Sequence, residues 1–246
     1  MNLRKKTGFT LVELLVVMSI IAILAGLILT IIPYVNKKQA RARAEGEIRT
    51  IASALEAYKG DNGNYPNDAQ LGGGSYQKNH TDTLDARQAN DPTSTTDPYN
   101  YAAANLVLYR ALSGDRNLDR KWDGTGTTDS SLDLDGNSLS TPLAGPPTAY
   151  YTFPSGMLLP ANGVGTVTGI VDPFGNYYGY STAYQGDLQT NPGTVPTHGY
   201  NTTYDLWSTG GNVSALGGND SPQQISIKRA QWIYNWQSSG ADNAGQ

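Results

Sequence analysis

The 246 residues contain no cysteine and only two histidines, His80 and His198. The first absence removes disulfides, thiolate nucleophiles and thiolate metal sites together. The second leaves a histidine-based zinc site or general base poorly provided for. Glutamate is missing after residue 56: Glu13, Glu45, Glu47 and Glu56 are the full set, and all 17 acids of residues 60–246 are aspartate. Glutamate favours helix whereas aspartate favours caps and turns, so a helical N-terminal part is expected to precede a turn-rich domain. That second part sets 8 Lys/Arg against 17 Asp, a balance of −9 that repels phosphate, and no nucleic-acid partner is expected. The motifs of catalysis are lacking as well. There is no nucleophile elbow, P-loop, paired His/acid motif or metal-ligand histidine spacing, and the scattered aspartates single out no pair for glycoside hydrolysis. An enzyme is therefore not expected.

What the chain does have is concentrated at one end. Residues 1–59 hold 33 residues of the apolar set and a charge of +5, while residues 60–246 hold 61 apolar residues in a much longer stretch. From Leu14 to Ile32 no residue is charged. At 1.5 Å per residue these nineteen positions span roughly 28 Å as a helix, close to the hydrocarbon thickness of a bilayer. The run is longer than the apolar core of a cleaved secretory signal and no Ala-x-Ala site follows it, so the segment is expected to stay in the mature protein. Basic residues flank both ends (Arg4, Lys5 and Lys6 before; Lys37, Lys38, Arg41 and Arg43 after), so charge decides its orientation poorly.

Glu13 is the odd residue, a carboxylate at the edge of the span where acids are rare and have partners. It stands in Gly8-Phe9-Thr10-Leu11-Val12-Glu13-Leu14-Leu15, after the basic leader of residues 1–8. This string resembles the class III signal of type IV prepilins and type II secretion pseudopilins. The resemblance implies that a membrane prepilin peptidase cuts after Gly8, that the new N-terminus, Phe9, is methylated, and that Glu13 neutralises the Phe9 α-amino group of a neighbouring subunit during filament assembly. Low dielectric favours such a pair, because each charge alone bears a desolvation cost of several kcal/mol.

Beyond Pro33 the apolar positions Ala40, Ala44, Ile48, Ile51, Ala52, Leu55 and Tyr58 recur at spacings of three and four, with charges mostly on the other faces. The spacing predicts an apolar helix over 9–33 continuing as an amphipathic one over 34–59, stopped by Gly60-Asp61-Asn62-Gly63. Gly26 and Pro33 are its intrinsic weak points, where a kink or local melting in a filament is expected.

Residues 60–246 form the expected globular domain. Residues 60–100 read as loop, residues 101–112 as a short helix ended by Ser113-Gly114, and residues 149–153, 166–171, 177–181, 203–208 and 230–236 as short strands. Together these give an α+β, pilin-like fold: one long N-terminal helix packed on a small antiparallel sheet with long loops. The successive strings Ala54 to Pro66, Asp172-Pro173-Phe174-Gly175-Asn176 and Tyr204 to Asn212, with Asn235-Trp236 near the end, resemble those of the major pseudopilin of type II secretion. Residues 67–165 lie outside that resemblance.

In that family a calcium ion stabilises the C-terminal loop. Carried over, the ligands are the Leu206 carbonyl, Ser208, Asn212 and Asp220, with Asp205 nearby; an amide stands at Asn212 where the family usually has aspartate, which lowers the expected affinity. A second oxygen-rich run, Asp115-x-Asn117-x-Asp119-x-Lys121-x-Asp123, fails as an EF-hand because Arg120 occupies the glycine position and Gly126 the bidentate one, and a solvated acidic loop is expected. Trp122, Trp207, Trp232 and Trp236 are expected to pack in the core or on strands. The resemblance implies a single-pass protein of the inner (cytoplasmic) membrane with its domain periplasmic or extracellular. Its implied partners are further copies in a filament, other pseudopilins, the inner-membrane assembly platform and the prepilin peptidase. The implied function is a structural pseudopilus subunit serving type II secretion of folded proteins, the alternative being a type IV pilin for adhesion, motility or DNA uptake.

Overall fold

A computed structural model describes residues 10–72, 75–87, 92, 101–121, 127–143, 147–211, 229 and 232–235. Contacts divide the chain into two units, residues 1–42 and 43–246. In the first unit the described residues form the apolar part of helix α1 (Leu11–Asn62). Its side chains from Leu11 to Ile32 are exposed wherever they are described, and the helix is long and apolar enough to cross a membrane. It runs through Gly26 and Pro33 without interruption.

In the second unit α1 turns one face inward: Ala44, Ile48, Ile51, Ala54 and Leu55 are all buried, with Ala44, Ile51 and Leu55 fully so. Burying an isoleucine or leucine side chain stabilises by about 1.5–3 kcal/mol. The helix ends where expected. Gly63 takes a left-handed φ of +81° and donates its N–H to the Lys59 carbonyl at 2.8 Å, while Asn62 Nδ2 donates to the Tyr58 carbonyl at 2.9 Å. Both carbonyls would otherwise be left over at the helix terminus.

Against this face pack α3 (Tyr101–Ser113) and the strands β3 (Leu158–Leu159), β4 (Gly169–Ile170), β5 (Gly179–Ser181), β6 (Asp205–Ser208) and β7 (Ile233–Tyr234). The strands form small antiparallel sheets in the orders β3-β4 and β5-β6-β7, and β1 (Gln70–Gly72) pairs with β2 (Ser75–Gln77) in a third. The expected single sheet is thus divided, within the α+β architecture that was expected. Buried Asn105 of α3 bridges the division. Its Nδ2 donates to the carbonyls of Ile170 (3.0 Å) and Tyr178 (2.9 Å), and its Oδ1 accepts the Ile170 N–H.

The segment 149–153, expected as a strand for its aromatics, is irregular. The N–H groups of Tyr150 (2.7 Å) and Tyr151 (2.9 Å) both go to the Leu112 carbonyl, a leftover acceptor of the last turn of α3, so no neighbouring strand uses them. The Tyr150 ring meets Tyr58 edge-on at 5.3 Å. Around the core also stand α2 (His80–Thr83), α5 (Ala183–Thr190) and a 3-10 turn (Ser155–Met157), with α4 (Thr127–Ser130) between α3 and β3.

A second cluster holds Leu84, Ala86, Tyr101, Ala104, Trp207 and Trp232. Trp207 donates Nε1–H to Tyr101 Oη at 2.8 Å and stacks on Trp232 with ring centroids 6.1 Å apart. Opposite it on β5 stands Gly179, where an added Cβ would lie 2.1 Å from the indole, so the sheet at this point has room only for glycine. Trp207 and Trp232 are therefore core residues, as expected; Trp122 and Trp236 lie outside the described residues.

Candidate functional site

At the N-terminal end of α1 the geometry explains why Glu13 sits where it does. Thr10 precedes the helix, and Glu13 Oε2 accepts both its N–H and its Oγ1–H, each at 2.8 Å, while Thr10 Oγ1 accepts the Glu13 N–H at 3.2 Å. This is the reciprocal capping box of a Thr-x-x-Glu sequence, in which each side chain satisfies the other's helix-end N–H. The spacing was present in the sequence and is the signal by which Thr10 could have been singled out. In this state Glu13 already has a partner, and its carboxylate is held one residue from position 9. Gly8 and Phe9 themselves lie outside the described residues.

Of the expected calcium ligands, Leu206 and Ser208 are described and Asn212 and Asp220 lie outside the described residues. Leu206 is fully buried in β6. Its carbonyl accepts the Asn235 N–H at 3.1 Å and its N–H donates to Asn235 Oδ1 at 2.8 Å. Asn235 Nδ2 also reaches the Tyr204 carbonyl at 3.3 Å, so this one side chain continues the ladder of β7 past its two residues. Ser208 Oγ donates to Asp172 Oδ2 at 2.5 Å and accepts the Gly210 N–H at 3.0 Å. Beside it Thr209 Oγ1 is buried and has no hydrogen-bond partner among the described residues.

Asp172 fastens the Asp172-Pro173-Phe174-Gly175-Asn176 turn. Its Oδ1 accepts the N–H groups of Phe174 and Asn176, both at 2.9 Å, and Gly175 supplies the left-handed φ of +87°. Burial pushes this carboxyl above its usual range, against the pull of the Ser208 hydroxyl and the two amides. Asp205 is fixed in the same way: Oδ2 accepts the Tyr200 N–H (2.7 Å) and Oδ1 the Asn201 N–H (2.9 Å). Burial and the nearby Asp85 carboxylate push it up to about 6.

The aspartate run after α3 is the expected solvated loop only in part: Asp119 and Lys121 are exposed, whereas Asp115, and Asp129 beyond the run, are 2% and 0% exposed. Asp115 accepts from Tyr109 Oη (2.7 Å) and from the N–H groups of Asp119 (3.1 Å) and Arg120 (2.8 Å), while Asp129 Oδ1 accepts those of Arg116 (2.9 Å) and Asn117 (3.0 Å). Arg120, where an EF-hand has glycine, adopts a left-handed φ of +70°. Burial raises the Asp115 carboxyl, and Asp129 and Asp119 add to the rise. Asp123 lies outside the described residues.

Three further segments meet elsewhere. Asp68, His80 and Asp135 each offer a ligand atom, all within 4.8 Å of one another. No sequence spacing announces this group, because Asp135 is 55 residues from His80 and reaches it only through the fold.

Comparison with known proteins places these features. Residues 3–29 match the prokaryotic N-terminal methylation motif. The chain is 42% identical over 73 residues to the type II secretion system core protein G of Pseudomonas aeruginosa, covering 28% of this chain and 49% of that protein. It is 34% identical over 101 residues to the protein of the same name from Aeromonas hydrophila (41% and 62%), and 39% identical over 62 residues to that of Escherichia coli K12 (25% and 43%). These matches span about half the length of the curated relatives. No solved structure matches the chain. The relatives do not favour a surface type IV pilin, and they bear out the resemblance to the major pseudopilin. The chain carries a prokaryotic N-terminal methylation motif and is similar, over a quarter to two fifths of its length, to core protein G of type II secretion systems.

Proposed function

We propose that the chain is a non-enzymatic structural subunit of a pseudopilus that serves type II secretion of folded proteins. The carrying observation is the N-terminal methylation motif on the exposed apolar part of α1, whose one acid, Glu13, stands at its first turn. A helix this apolar and without buried neighbours must be covered by lipid or by copies of itself. In this reading the prepilin peptidase cuts after Gly8 and Phe9 is methylated. The helix first anchors the subunit in the inner membrane with its domain periplasmic, then packs against other copies and other pseudopilins on the assembly platform. Glu13 then exchanges the Thr10 contacts of its capping box for the ammonium of a neighbour's Phe9, a stronger partner in low dielectric.

Two measurements test this. The mature N-terminus, read by mass spectrometry of membranes, is expected to be N-methylated Phe9, and an intact Met1 sinks the reading. Glu13→Ala is expected to abolish filaments while the domain's thermal midpoint stays unchanged; filaments of normal yield overturn the pairing.

Calcium belongs to the same proposal. The fit is partial, because Leu206 and Ser208 already serve Asn235 and Asp172, but the orphaned Thr209 Oγ1 leaves an oxygen available in that segment. Asn212 and Asp220 would complete the set, and a rise in thermal midpoint on adding Ca²⁺ to the chelated full chain is expected. An unchanged midpoint removes calcium from the proposal.

A further inference from the structure

The group formed by Asp68, His80 and Asp135 is independent of the filament helix and of the calcium segment. Asp68 follows the end of α1, and its side chain is fully buried. Its Oδ1 accepts the Thr81 N–H (3.0 Å) and Oγ1–H (2.8 Å), and its Oδ2 lies 2.7 Å from His80 Nδ1. These contacts hold the carboxyl below its usual range although burial pushes the other way. His80 opens α2 and keeps about a quarter of its side chain exposed, which leaves a path from solvent.

Asp135 comes from a turn made rigid by other residues. Leu132 pairs with Ser138, Asp133 Oδ1 accepts the Asn137 N–H at 2.7 Å, and Gly136 takes a left-handed φ of +87°. Arg110 of α3 lies against Gly136 and donates to the Leu134 carbonyl at 3.0 Å, so the turn is pinned from below. Asn79 Nδ2 stands 3.4 Å from both the Asp68 carbonyl and Asp135 Oδ2, joining the two sides.

We propose that Asp68, His80 and Asp135 bind one divalent transition-metal ion of the zinc class, which fastens the 132–138 turn to the segment that begins α2. One imidazole and two carboxylates are ligands for zinc or manganese, whereas calcium takes oxygen alone. With His80 neutral, as a ligand must be, the two carboxylates bring negative charge for the ion to neutralise, and Arg110 interacts with Asp133 and Asp115 as well as with Asp135. Thr81 supplies the outer hydrogen bonds that aim the Asp68 carboxylate, and such outer partners are what metal ligands need to hold their orientation. Water completes the coordination at the exposed side. The ion would close a loop of 67 residues in a protein with no disulfide to do so, and clips across long loops remove the most chain entropy.

The test uses the untagged full chain in detergent, stripped with a chelator and titrated with zinc chloride alone. One zinc per chain is expected, with a raised thermal midpoint that the chelator reverses and that is added in full when calcium is already present in excess. Cobalt chloride is expected to give the visible absorption of a nitrogen-and-oxygen site. Asp135→Ala and His80→Gln are each expected to weaken zinc binding at least about tenfold. Asp135→Ala leaves the Asp68–His80 hydrogen bond intact, so its chelated form is expected to melt close to the chelated wild type. Substoichiometric zinc, a midpoint indifferent to zinc, or full affinity in both variants overturns the proposal. Should a variant fail to fold, the wild-type stoichiometry and cobalt spectrum still decide it.

Discussion

Asp205→Asn should remove a specific pH dependence of stability. Asp205 is 1% exposed, its carboxylate accepts the Tyr200 and Asn201 amides, and burial and the neighbouring Asp85 push its carboxyl up to about 6. An unfolded aspartate titrates near 3.9. The folded state therefore binds the proton more tightly, so the contribution is fully present below about pH 4 and is lost as pH rises through about 6. The full difference corresponds to about 3 kcal/mol, of which roughly 2 kcal/mol disappears between about pH 4 and about pH 7. For a domain of this size that is roughly 4–8 °C of thermal midpoint. Asparagine keeps the shape of the protonated acid and does not ionise. Its own cost, from placing an amide nitrogen against one of the two N–H donors, is the same at every pH. The measurement is thus the midpoint of wild type minus that of Asp205→Asn, followed from about pH 4 to about pH 7. The difference should fall by that amount toward neutral pH, with its inflection below about 6. A difference that stays flat, or rises with pH, refutes the assignment of Asp205 as a strained buried carboxylate.

Gly179→Ala brings a Cβ to 2.1 Å from the Trp207 ring, so the indole must leave its stack on Trp232. A loss of about 1–3 kcal/mol by chemical denaturation is expected, together with a shifted tryptophan emission, and an unchanged midpoint contradicts the packing. Asn235→Ala strips the Leu206 N–H of its acceptor and is expected to cost about 1–3 kcal/mol, with faster amide exchange at Leu206 in hydrogen-exchange mass spectrometry. Equal exchange in both proteins excludes the role given to that side chain.

Much of this architecture was legible because it depends on period and composition. The inward face Ala44, Ile48, Ile51 and Leu55 repeats at helical spacing, and Gly63 marks the stop at the residue that adopts the left-handed cap. Four of the five expected strands hold a strand in the structure, at Gly169, Gly179, Asp205 and Ile233 onward. The fifth, 149–153, failed because an aromatic run says that a segment is half-buried, whereas a strand also needs a partner, and Tyr150 and Tyr151 give their N–H groups to a helix end. Of the aspartates after α3, Asp119 is exposed as expected, whereas Asp115 and Asp129 are not, for a related reason. Aspartate is polar, but Asp115 and Asp129 turn back on the amides of their own loop and are buried with them. Asp68, His80 and Asp135 form a group that only the tertiary fold assembles, so no reading of spacing reaches it.

In the proposed filament, whose domains would stand side by side, the amide of Asn235 has a consequence. Strand β7 is only two residues long, and without the Asn235 side chain the inner strand β6 would show an open backbone donor at Leu206. Open strand edges recruit other chains, and they do so most readily where identical domains are held side by side at high local concentration. A single side chain acting as a surrogate strand hems that margin. In the proposed filament this leaves a neighbouring domain one backbone donor fewer to pair with, which favours helix packing over sheet fusion as the source of its order.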